Sequence, residues 1–473
     1  MTKRITKLEN FKRMCLKARE IANLVKKRSE VLVVTHVDAD GITSGAITVQ
    51  ALRKSGIESR IEFVKQLDEK AIEKIADENV FVWFTDLGSG QIDLIEKVGI
   101  DCIVTDHHQP IKKVEYQLNP HDFGIDGSYE FGGASTTYLV SRCLFKDLTL
   151  SALAIVGCVG DLQDSKAGML KSFNRVVLGE GIKAGVLEKI RDIRLFGKQT
   201  RPVYKMLEFT FDPYLPGISG NEEGALNFMK KAGVEPVVSD KWRRWIDLSK
   251  EERVKLTSEL VKLLMRCEYP IKTIERLVGE VYILKNVEEG TELRDAMEFS
   301  TLLNATARYG YEEVGLNVCL GVCKSISEEK FYRAYKRAKN LLQNHRKNLS
   351  EGVKFVSERG IEELENVQYF HAGKKIKDTI VGIVAGMCYS LTKTSKPIVA
   401  FAESEEGVKV SARATQSLVD RGINLAEAVR IAAERVGGKG GGHNIAAGAT
   451  IPEGREREFL TEFNRIIGQQ LRK

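Results

Sequence analysis

Acidic and histidine side chains cluster at three places in the first third of the chain, and each cluster directly follows an apolar run. A further acidic residue follows a longer apolar run. Carboxylate oxygens and imidazole nitrogens are the groups with which proteins bind divalent cations. The motifs are THVDADG with His36, Asp38 and Asp40, FTDLGSG with Asp86, TDHH with Asp106, His107 and His108, and VGDLQD with Asp161. These residue types predict a metal centre, provided that the fold brings them together.

The apolar runs before the three clusters have the composition of buried strands in a parallel sheet. We predict strands over Val31–Thr35, Val80–Thr85 and Cys102–Thr105, with helices over Thr43–Ser55 and Gln91–Val98 between them. The carboxyl ends of parallel strands form one crevice, where ligands bind. The three clusters are therefore expected at a single edge of the sheet.

The mixture of ligands suits chemistry at phosphorus. Two divalent cations ~3.5–4 Å apart can hold the attacking and the leaving oxygen of an in-line displacement. Imidazoles added to carboxylates favour Mn²⁺, although Mg²⁺ also fits. Asp161 follows Leu150–Val159, a buried helix or strand, and can join the site. The alternative, that each cluster is an ordinary turn, is weakened because three clusters fall at strand ends.

Four motifs follow one another over Thr35–Asp164: HxDxDG, a lone Asp, DHH, and GD before Gln-Asp. Their order resembles that of the DHH phosphoesterase superfamily. Within it, the chain is most similar to the archaeal RecJ-like single-strand exonucleases. The resemblance implies a role for each residue of the motifs. His36 and Asp38 would bind one metal, Asp40, His107 and Asp161 the other, Asp86 would bridge them, His108 would face the scissile phosphate, and Asp106 would support the histidine pair.

A glycine-rich segment near the end of the chain, GGKGGGHNIAAGA, could bind an anion through successive backbone N–H groups and a histidine. It resembles the GGGH motif of the DHH-associated C-terminal domain, which binds the nucleotide next to the scissile phosphate. The resemblance implies a second wall of a cleft that admits one strand. Its substrate-binding residues would be Gly440, Gly441, Gly442 and His443, together with Ser411 and Arg413 of VSAR.

Two other segments carry weaker signals. Arg294–Arg308 resembles a segment of the family in which Asn304 and Arg308 would touch a nucleic-acid backbone, but an ordinary helix with a solvated basic face fits equally well. Trp242–Trp245, with two arginines between the tryptophans, could stack on unpaired bases. We favour the alternative that these tryptophans form the core of a small helical module.

The predicted fold class is α/β, with an N-terminal parallel-sheet domain, a helical insertion and a smaller C-terminal α/β domain. We place the DHH domain with the metal site at residues 1–200, connecting chain and the helical insertion at 201–290, connector helices at 291–354, and the DHH-associated domain at 355–473. Irregular chain is expected over Arg201–Pro236, and helices over Ser249–Arg266, Ile271–Val278 and the basic stretch Lys330–Lys354.

Composition narrows the class of protein. The 43% apolar and 29% charged content is that of a folded globular chain, and the net charge of +7 permits a nucleic-acid partner without requiring one. The eight cysteines include no CxxC pair, which favours reduced thiols. No apolar run reaches the ~20 residues of a membrane span, and Met1–Arg13 lacks the pattern of a signal peptide, so we expect a cytoplasmic protein.

The leading interpretation is a metal-dependent exonuclease that degrades single-stranded DNA from the 5′ end during replication or repair, with RNA as a second candidate substrate. One alternative is a phosphodiesterase of oligonucleotides or cyclic dinucleotides, and another is a replisome scaffold, since one sister lineage has kept the fold and lost its ligands. The expected partners are single-stranded nucleic acid and, by resemblance to archaeal relatives, replication proteins bound to the middle insertion.

Overall fold

The structure is a computed structural model that describes residues 2–472, and it divides into two compact units. The first unit contains residues up to 207 and residues 223–342, and the second contains residues 208–222 and those from 343 onward. No helix among the described residues is long and apolar enough to cross a membrane.

A five-stranded parallel sheet forms the centre of the first unit. Its order is β2-β1-β3-β4-β5, so β1 and β3 lie side by side while the chain extends outward from them in both directions. This arrangement is the topological switch point at which open α/β sheets bind ligands. The strands are β1 (Glu30–His36), β2 (Glu58–Val64), β3 (Val82–Thr85), β4 (Cys102–Thr105) and β5 (Gln117–Leu118).

Helices cover both faces of this sheet because the strand residues are apolar on both faces. Val33 and Trp83 pack into the core that contains the longer helices, whereas Val34 and Phe84 pack against the two shorter ones, α3 and α4. The helices are α1 (Thr2–Val25), α2 (Ala39–Lys54), α3 (Glu69–Asp77), α4 (Ile92–Val98), α5 (Gly133–Leu144), α6 (Ser151–Gly160) and α7 (Asn174–Lys183). The apolar run before Asp161 is thus a buried helix, not a strand.

The middle of the chain is more regular than its prolines suggested. The expectation of irregular chain over residues 201–236 is wrong, because two helices lie there and the prolines fall outside them. Pro202 directly precedes a helix, where its missing N–H costs no hydrogen bond. The elements are β6 (Leu187–Ile193), α8 (Val203–Glu208), α9 (Glu222–Lys231), β7 (Val237–Val238), β8 (Lys241–Trp242), α10 (Lys250–Arg266), α11 (Ile271–Arg276) and β9 (Val278–Leu284).

Three helices follow the insertion, namely α12 (Ala296–Arg308), α13 (Glu312–Val322) and α14 (Glu328–Arg359). Phe299 of α12 and Val318 of α13 are buried in the same core as α2 and α6, so these two helices belong to the first unit. The third, α14, begins in the first unit and ends in the second.

The second unit contains a six-stranded mixed sheet with the order β10-β11-β12-β13-β15-β14. Only β11 and β12 are parallel, and the other pairs are antiparallel. The elements are β10 (Glu362–Glu363), β11 (Gln368–Gly373), α15 (Asp378–Met387), β12 (Ile398–Ser404), β13 (Gly407–Arg413), α16 (Gln416–Asp420), α17 (Leu425–Arg435), β14 (Lys439–Gly442), β15 (Ala446–Ile451) and α18 (Glu456–Leu471). The predicted fold class, with its smaller C-terminal α/β domain, is confirmed.

Candidate functional site

The three predicted clusters meet at the carboxyl edge of the parallel sheet. His36 is the last residue of β1, Asp86 follows β3 and Asp106 follows β4. Asp86 is nearly inaccessible and has a φ of 59°, and its N–H donates to Thr105 O at 2.8 Å. A left-handed residue that is not glycine is uncommon, and such strain concentrates at functional sites.

Six predicted ligand side chains form two groups, and Asp86 belongs to the first and lies beside the second. In the first group, His36 Nδ1 lies 3.1 Å from Asp38 Oδ2 and 3.9 Å from Asp86 Oδ2. In the second, the ligand atoms of Asp40, His107 and Asp161 lie within 4.8 Å of one another. His107 Nε2 also lies 3.3 Å from Asp86 Oδ1, which places Asp86 beside both groups. The division of ligands that the resemblance implied stays a prediction, because Asp86, His107 and His108 form a further group that could hold an ion.

The ring of His107 is oriented by the backbone. Its Nδ1 lies 2.8 Å from Gly127 O, an acceptor, so Nδ1 carries the proton and Nε2 is left with a free lone pair for a metal. Gln163 donates from Nε2 to the same carbonyl at 2.7 Å and to Asp161 Oδ2 at 3.3 Å. One buried amide thus contacts Asp161 directly and shares the Gly127 carbonyl with His107.

Asp106 holds the histidine pair rather than facing the ligand groups. Its Oδ1 lies 2.8 Å from His108 Nδ1 and accepts from the backbone N–H of His107 at 2.7 Å, while Oδ2 accepts from Ser89 N at 3.0 Å. Burial raises the pKa of Asp106, but the hydrogen bond and charge of His108 outweigh it and hold that pKa well below its usual range. Asp106 is therefore a carboxylate that fixes the orientation of His108.

The N-terminus of α5 contributes to the site, a feature that the sequence interpretation missed. The backbone N–H groups of Gly133 and Ala134 each donate at 2.9 Å to the carboxylate of Asp40. A β-carbon at Gly133 would overlap Asp86 Oδ1 and lie 2.8 Å from Asp40 Oδ2, so only glycine permits this approach. The paired glycines of FGGAS, directly before an apolar helix, were the available signal.

The buried carboxylates of the site need positively charged partners. Burial and the neighbouring Asp86 raise the pKa of Asp40, and burial also raises that of Asp86. Asp86 Oδ1 is buried, and among the described residues it has no hydrogen-bond partner besides His107 Nε2 at 3.3 Å. Buried carboxylates are costly unless they are paired or bind a metal, and divalent cations would supply the missing partners. The oxygen and nitrogen donors fit Mn²⁺ and Mg²⁺.

Residues of α12 contact the turn between β1 and α2. Asn304 Oδ1 accepts from Ala39 N at 2.9 Å, and Asp38 Oδ1 accepts from Gly41 N at 2.9 Å, so the two side chains cap α2 together. This bond uses the Asn304 oxygen and favours a structural role over the nucleic-acid contact considered from the sequence. Burial lowers the pKa of Arg308, and the charge of nearby Asp38 partly offsets this effect. Arg308 thus interacts electrostatically with Asp38, one of the predicted ligands.

The predicted phosphate contacts of the second unit share one face of its sheet. Ser411 on β13 lies opposite Gly448 on β15, which lies opposite Gly441 on β14. Residues directly opposite each other on neighbouring strands project from the same face. A second row, two residues along, contains Arg413, Ala446 and His443.

The glycine segment is an edge strand, whereas the sequence suggested a loop with three successive N–H groups exposed. His443 and Ala446 exchange backbone hydrogen bonds at 2.8 and 3.2 Å. Because hydrogen-bonded and non-hydrogen-bonded pairs alternate along antiparallel strands, Gly441 bonds to β15, and the N–H groups of Gly440 and Gly442 face the open edge. A β-carbon at Gly441 would meet no atom within 4 Å, so the face itself is open there.

Lys409 is a further cation on this face that the sequence interpretation missed. It precedes Ser411 by two residues and therefore projects from the same face of β13. Its Nζ would lie 3.8 Å from a β-carbon at Gly448, so the ammonium lies over the glycine row. Within residues 2–472 no carboxylate is close enough to form an ion pair with it. The alternation of VKVSAR along a strand was the available signal.

The patch Trp242–Trp245 is split by the structure. Trp245 is buried, and its Nε1 donates to both oxygens of Asp192 at 2.9 and 3.1 Å. Arg243 pairs with Glu252. Trp242 remains 47% exposed and packs on Tyr204, with ring centroids 4.5 Å apart. The core interpretation thus holds for Trp245 and does not hold for Trp242.

Comparison with known proteins agrees with the order of these motifs. Family models match successive parts of the chain: the DHH family N-terminal domain over residues 30–154, the DHH-CID domain over 195–278 and the DHHA1 domain over 365–469. The chain is 33% identical to uncharacterized protein MJ0831 of Methanocaldococcus jannaschii, over 97% of this chain and 100% of that protein. It is 22% identical to the single-stranded-DNA-specific exonuclease RecJ of Haemophilus influenzae, over 94% of this chain and 67% of that protein.

Solved structures share the fold at low sequence identity. CDC45 from Entamoeba histolytica has a TM-score of 0.63 at 12% identity, with 96% of this chain and 99% of that chain covered. RecJ from Thermus thermophilus in complex with Mn²⁺ has a TM-score of 0.60 at 17% identity and 96% coverage of this chain. This chain spans about half of that RecJ, 55% of its length.

Proposed function

The chain is a RecJ-like member of the DHH superfamily, and we propose that it is a metal-dependent exonuclease acting on single-stranded DNA, with degradation from the 5′ end. The observation that supports this proposal is the pair of neighbouring ligand groups at the edge of the sheet, with Asp86 in the first group and 3.3 Å from His107 of the second. Such a set suits phosphodiester hydrolysis, in which charge on both the attacking and the leaving oxygen needs stabilisation.

We propose that two divalent cations bind here, with Mn²⁺ preferred and Mg²⁺ accepted. The first group would hold one cation through His36 and Asp38, the second would hold the other through Asp40, His107 and Asp161, and Asp86 would contact both. Bound cations supply Lewis-acid polarisation of the phosphate and lower the pKa of the attacking water. RecJ from Thermus thermophilus has been solved in complex with Mn²⁺ and in complex with Mg²⁺, which supports a divalent cation of either kind.

His108 is proposed to stabilise charge on the scissile phosphate. Burial lowers the pKa of His108, but the hydrogen bond and charge of Asp106 outweigh it and raise that pKa to about 9. In its doubly protonated form the ring keeps Nδ1–H bonded to Asp106 and offers Nε2–H to a phosphate oxygen. A donor that is already oriented loses little entropy when the substrate binds.

The second unit is proposed to bind phosphates of the substrate. Ser411, Arg413, Gly441 and His443 lie in two adjacent rows of one sheet face, and the Lys409 ammonium lies over the glycine between them. The Lys409 ammonium above glycines that lack β-carbons suits a phosphate, which needs close approach, and the open N–H groups of Gly440 and Gly442 lie at the adjoining strand edge. In the first unit, Arg308 is proposed to contact a further phosphate.

Two other functions were considered. Hydrolysis of short oligonucleotides or cyclic dinucleotides would use the same residues, so only the length dependence of cleavage separates it from the exonuclease. A replisome scaffold would need no metal ligands, whereas all six predicted ligand side chains are present and adjacent. The fold similarity to CDC45 does not distinguish these possibilities, because it shows the fold alone. Binding of replication proteins to the middle insertion stays a prediction.

The direct test is digestion of single-stranded DNA and RNA labelled at either end, with Mn²⁺, Mg²⁺ or EDTA present. We expect mononucleotides to be released progressively from the 5′ end, with no reaction in EDTA. The matched inactive control is Asp86→Asn, and Gly179→Ala is the active control because its β-carbon meets no neighbour. Cleavage only of di- and trinucleotides would favour the oligonucleotidase, and no cleavage of any substrate by metal-loaded protein would refute the proposal.

A second experiment tests the preference for single strands. Blunt duplex, a 5′ overhang and a 3′ overhang are compared with a free strand at equal concentration of ends. We expect the free strand and the 5′ overhang to be digested fastest, and blunt duplex slowest. Equal rates on blunt duplex and free strand would remove the single-strand part of the proposal and leave the phosphodiesterase.

A further inference from the structure

The turn that follows α6 places an exposed apolar side chain beside a predicted metal ligand. Leu162 directly follows Asp161, and 65% of its surface is exposed. Consecutive α-carbons are ~3.8 Å apart, so this side chain begins within one residue of the metal centre. Leu162 is the only apolar residue in the segment Asp161–Asp164, which begins with a predicted ligand.

The backbone of Leu162 is strained. Its φ is 57°, and its N–H donates to Val159 O while the N–H of Gln163 donates to Cys158 O, at 3.1 and 3.0 Å. This pair of bonds is the Schellman ending of a helix, in which glycine normally occupies the left-handed position. A branched, exposed leucine therefore stands where glycine or asparagine would fit without strain.

The residues on either side hold this turn in place. Gln163 is buried and bonded to Gly127 O, and Asp164 forms a buried ion pair with Arg194 at 2.6 Å. Three of the four side chains from Asp161 to Asp164 thus have a polar partner or a predicted ligand role, and Leu162 alone projects into solvent. A strained residue that its surroundings keep in place is typical of a position selected for function rather than stability.

We propose that Leu162 is a substrate-positioning residue that packs against the base or sugar of the nucleotide attached to the scissile phosphate. This inference rests on the proposed function of the metal centre. An isopropyl group offers no hydrogen bonds, so it would contact all bases alike, and it would lose exposed apolar surface only when substrate is bound. The contact would orient the phosphodiester without touching the reacting atoms.

The test compares Leu162→Asn, Leu162→Met and Lys324→Asn with the wild type. Lys324 is the matched control, because it has a φ of 55° and the same pair of bonds at the end of α13, Lys324 N to Gly321 O and Ser325 N to Leu320 O. Asparagine tolerates the left-handed conformation, so neither asparagine variant should lower Tm. For Leu162→Asn we expect KM on single-stranded DNA to rise about fivefold to tenfold with Mn²⁺ binding unchanged.

Two readouts separate this role from a structural one. Leu162→Met should keep KM within about twofold of the wild type because it restores apolar contact. A strand with an abasic terminal nucleotide should show a smaller difference between Leu162→Asn and wild type if the base is contacted, and an unchanged difference if the sugar is. A lower Tm for Leu162→Asn, or KM values that match the wild type, would overturn the inference. Inactive wild-type protein would instead refute the proposed function.

Discussion

Replacing Gly133 with alanine tests the architecture of the metal centre through a single methyl group. The added β-carbon would overlap Asp86 Oδ1 and lie 2.9 Å from Asp86 Cγ and 2.8 Å from Asp40 Oδ2. Because carbon–oxygen contacts are normally ~3.3 Å or longer, the Asp86 carboxylate would have to move by roughly 1 Å. A displacement of that size can reduce turnover on the order of 100-fold.

The cost to folding should be smaller than the cost to function. Overpacking a filled site costs about 1–3 kcal/mol, against roughly 5–15 kcal/mol of total stability, so the Gly133→Ala protein should stay folded. Its Mn²⁺ affinity should fall with its activity, because the two carboxylates no longer share the geometry that binds the cations. We would measure Mn²⁺ binding by calorimetry, turnover on a labelled strand, and Tm in EDTA.

The control for this variant is Gly179→Ala in α7. Its β-carbon meets no atom within 4 Å, so the same chemical change should leave activity intact and raise stability by up to about 1 kcal/mol. Gly133→Ala with wild-type Mn²⁺ affinity and turnover would show that α5 does not press against the reacting centre. The close approach of Gly133 to Asp86 would then not matter for metal binding, and the proposal that Asp86 contacts both cations would be weakened.

Three further predictions concern the metal, the substrate and the pH dependence of stability. Asp86→Asn should lose Mn²⁺ and activity together while Tm in EDTA stays within a few degrees of wild type, and substantial turnover by the folded variant would exclude Asp86 as the bridge. Gly441→Val should raise KM but keep Mn²⁺ binding, since the site of its new side chain is open, and loss of metal would contradict a phosphate-binding role. Burial and the charge of Asp295 raise the pKa of Glu298 to about 7, so the folded chain retains a proton there that the unfolded chain releases near its ordinary value of 4.5. The contribution of Glu298 to the free energy of unfolding should therefore fall as pH rises from 4.5 to 7, by about 3 kcal/mol at most. Glu298→Gln cannot ionise at this position. The Tm of the variant minus the Tm of the wild type should therefore be larger at pH 8 than at pH 5. An equal difference at both pH values would refute the raised pKa of Glu298.

The sequence alone determined the elements whose signal is local. The strand Cys102–Thr105 was predicted at its observed bounds, and the clusters after β1, β3 and β4 were placed at strand ends, because apolar runs that end in polar residues mark buried parallel strands. The order of motifs also fixed the family, which the matched domains confirm. The prediction of irregular chain over residues 201–236 was based on proline content rather than on apolar periodicity, and it was wrong where two helices lie. Proline is common directly before a helix as well as in irregular chain.

Tertiary structure decided what depends on contacts between distant residues. Gly133 lies 93 residues from Asp40, and no local pattern could show that its N–H reaches that carboxylate. Asn304 accepts from Ala39 N at the start of α2 from 265 residues away, and spacing in the sequence could not show this contact. The register of β14 against β15 decided which glycine N–H groups are open. Hydrogen-bonded and non-hydrogen-bonded pairs alternate along antiparallel strands, and the amino-acid sequence does not show which residues form which kind of pair. Spacing in the sequence can nominate ligands, but only packing determines which of them share a partner.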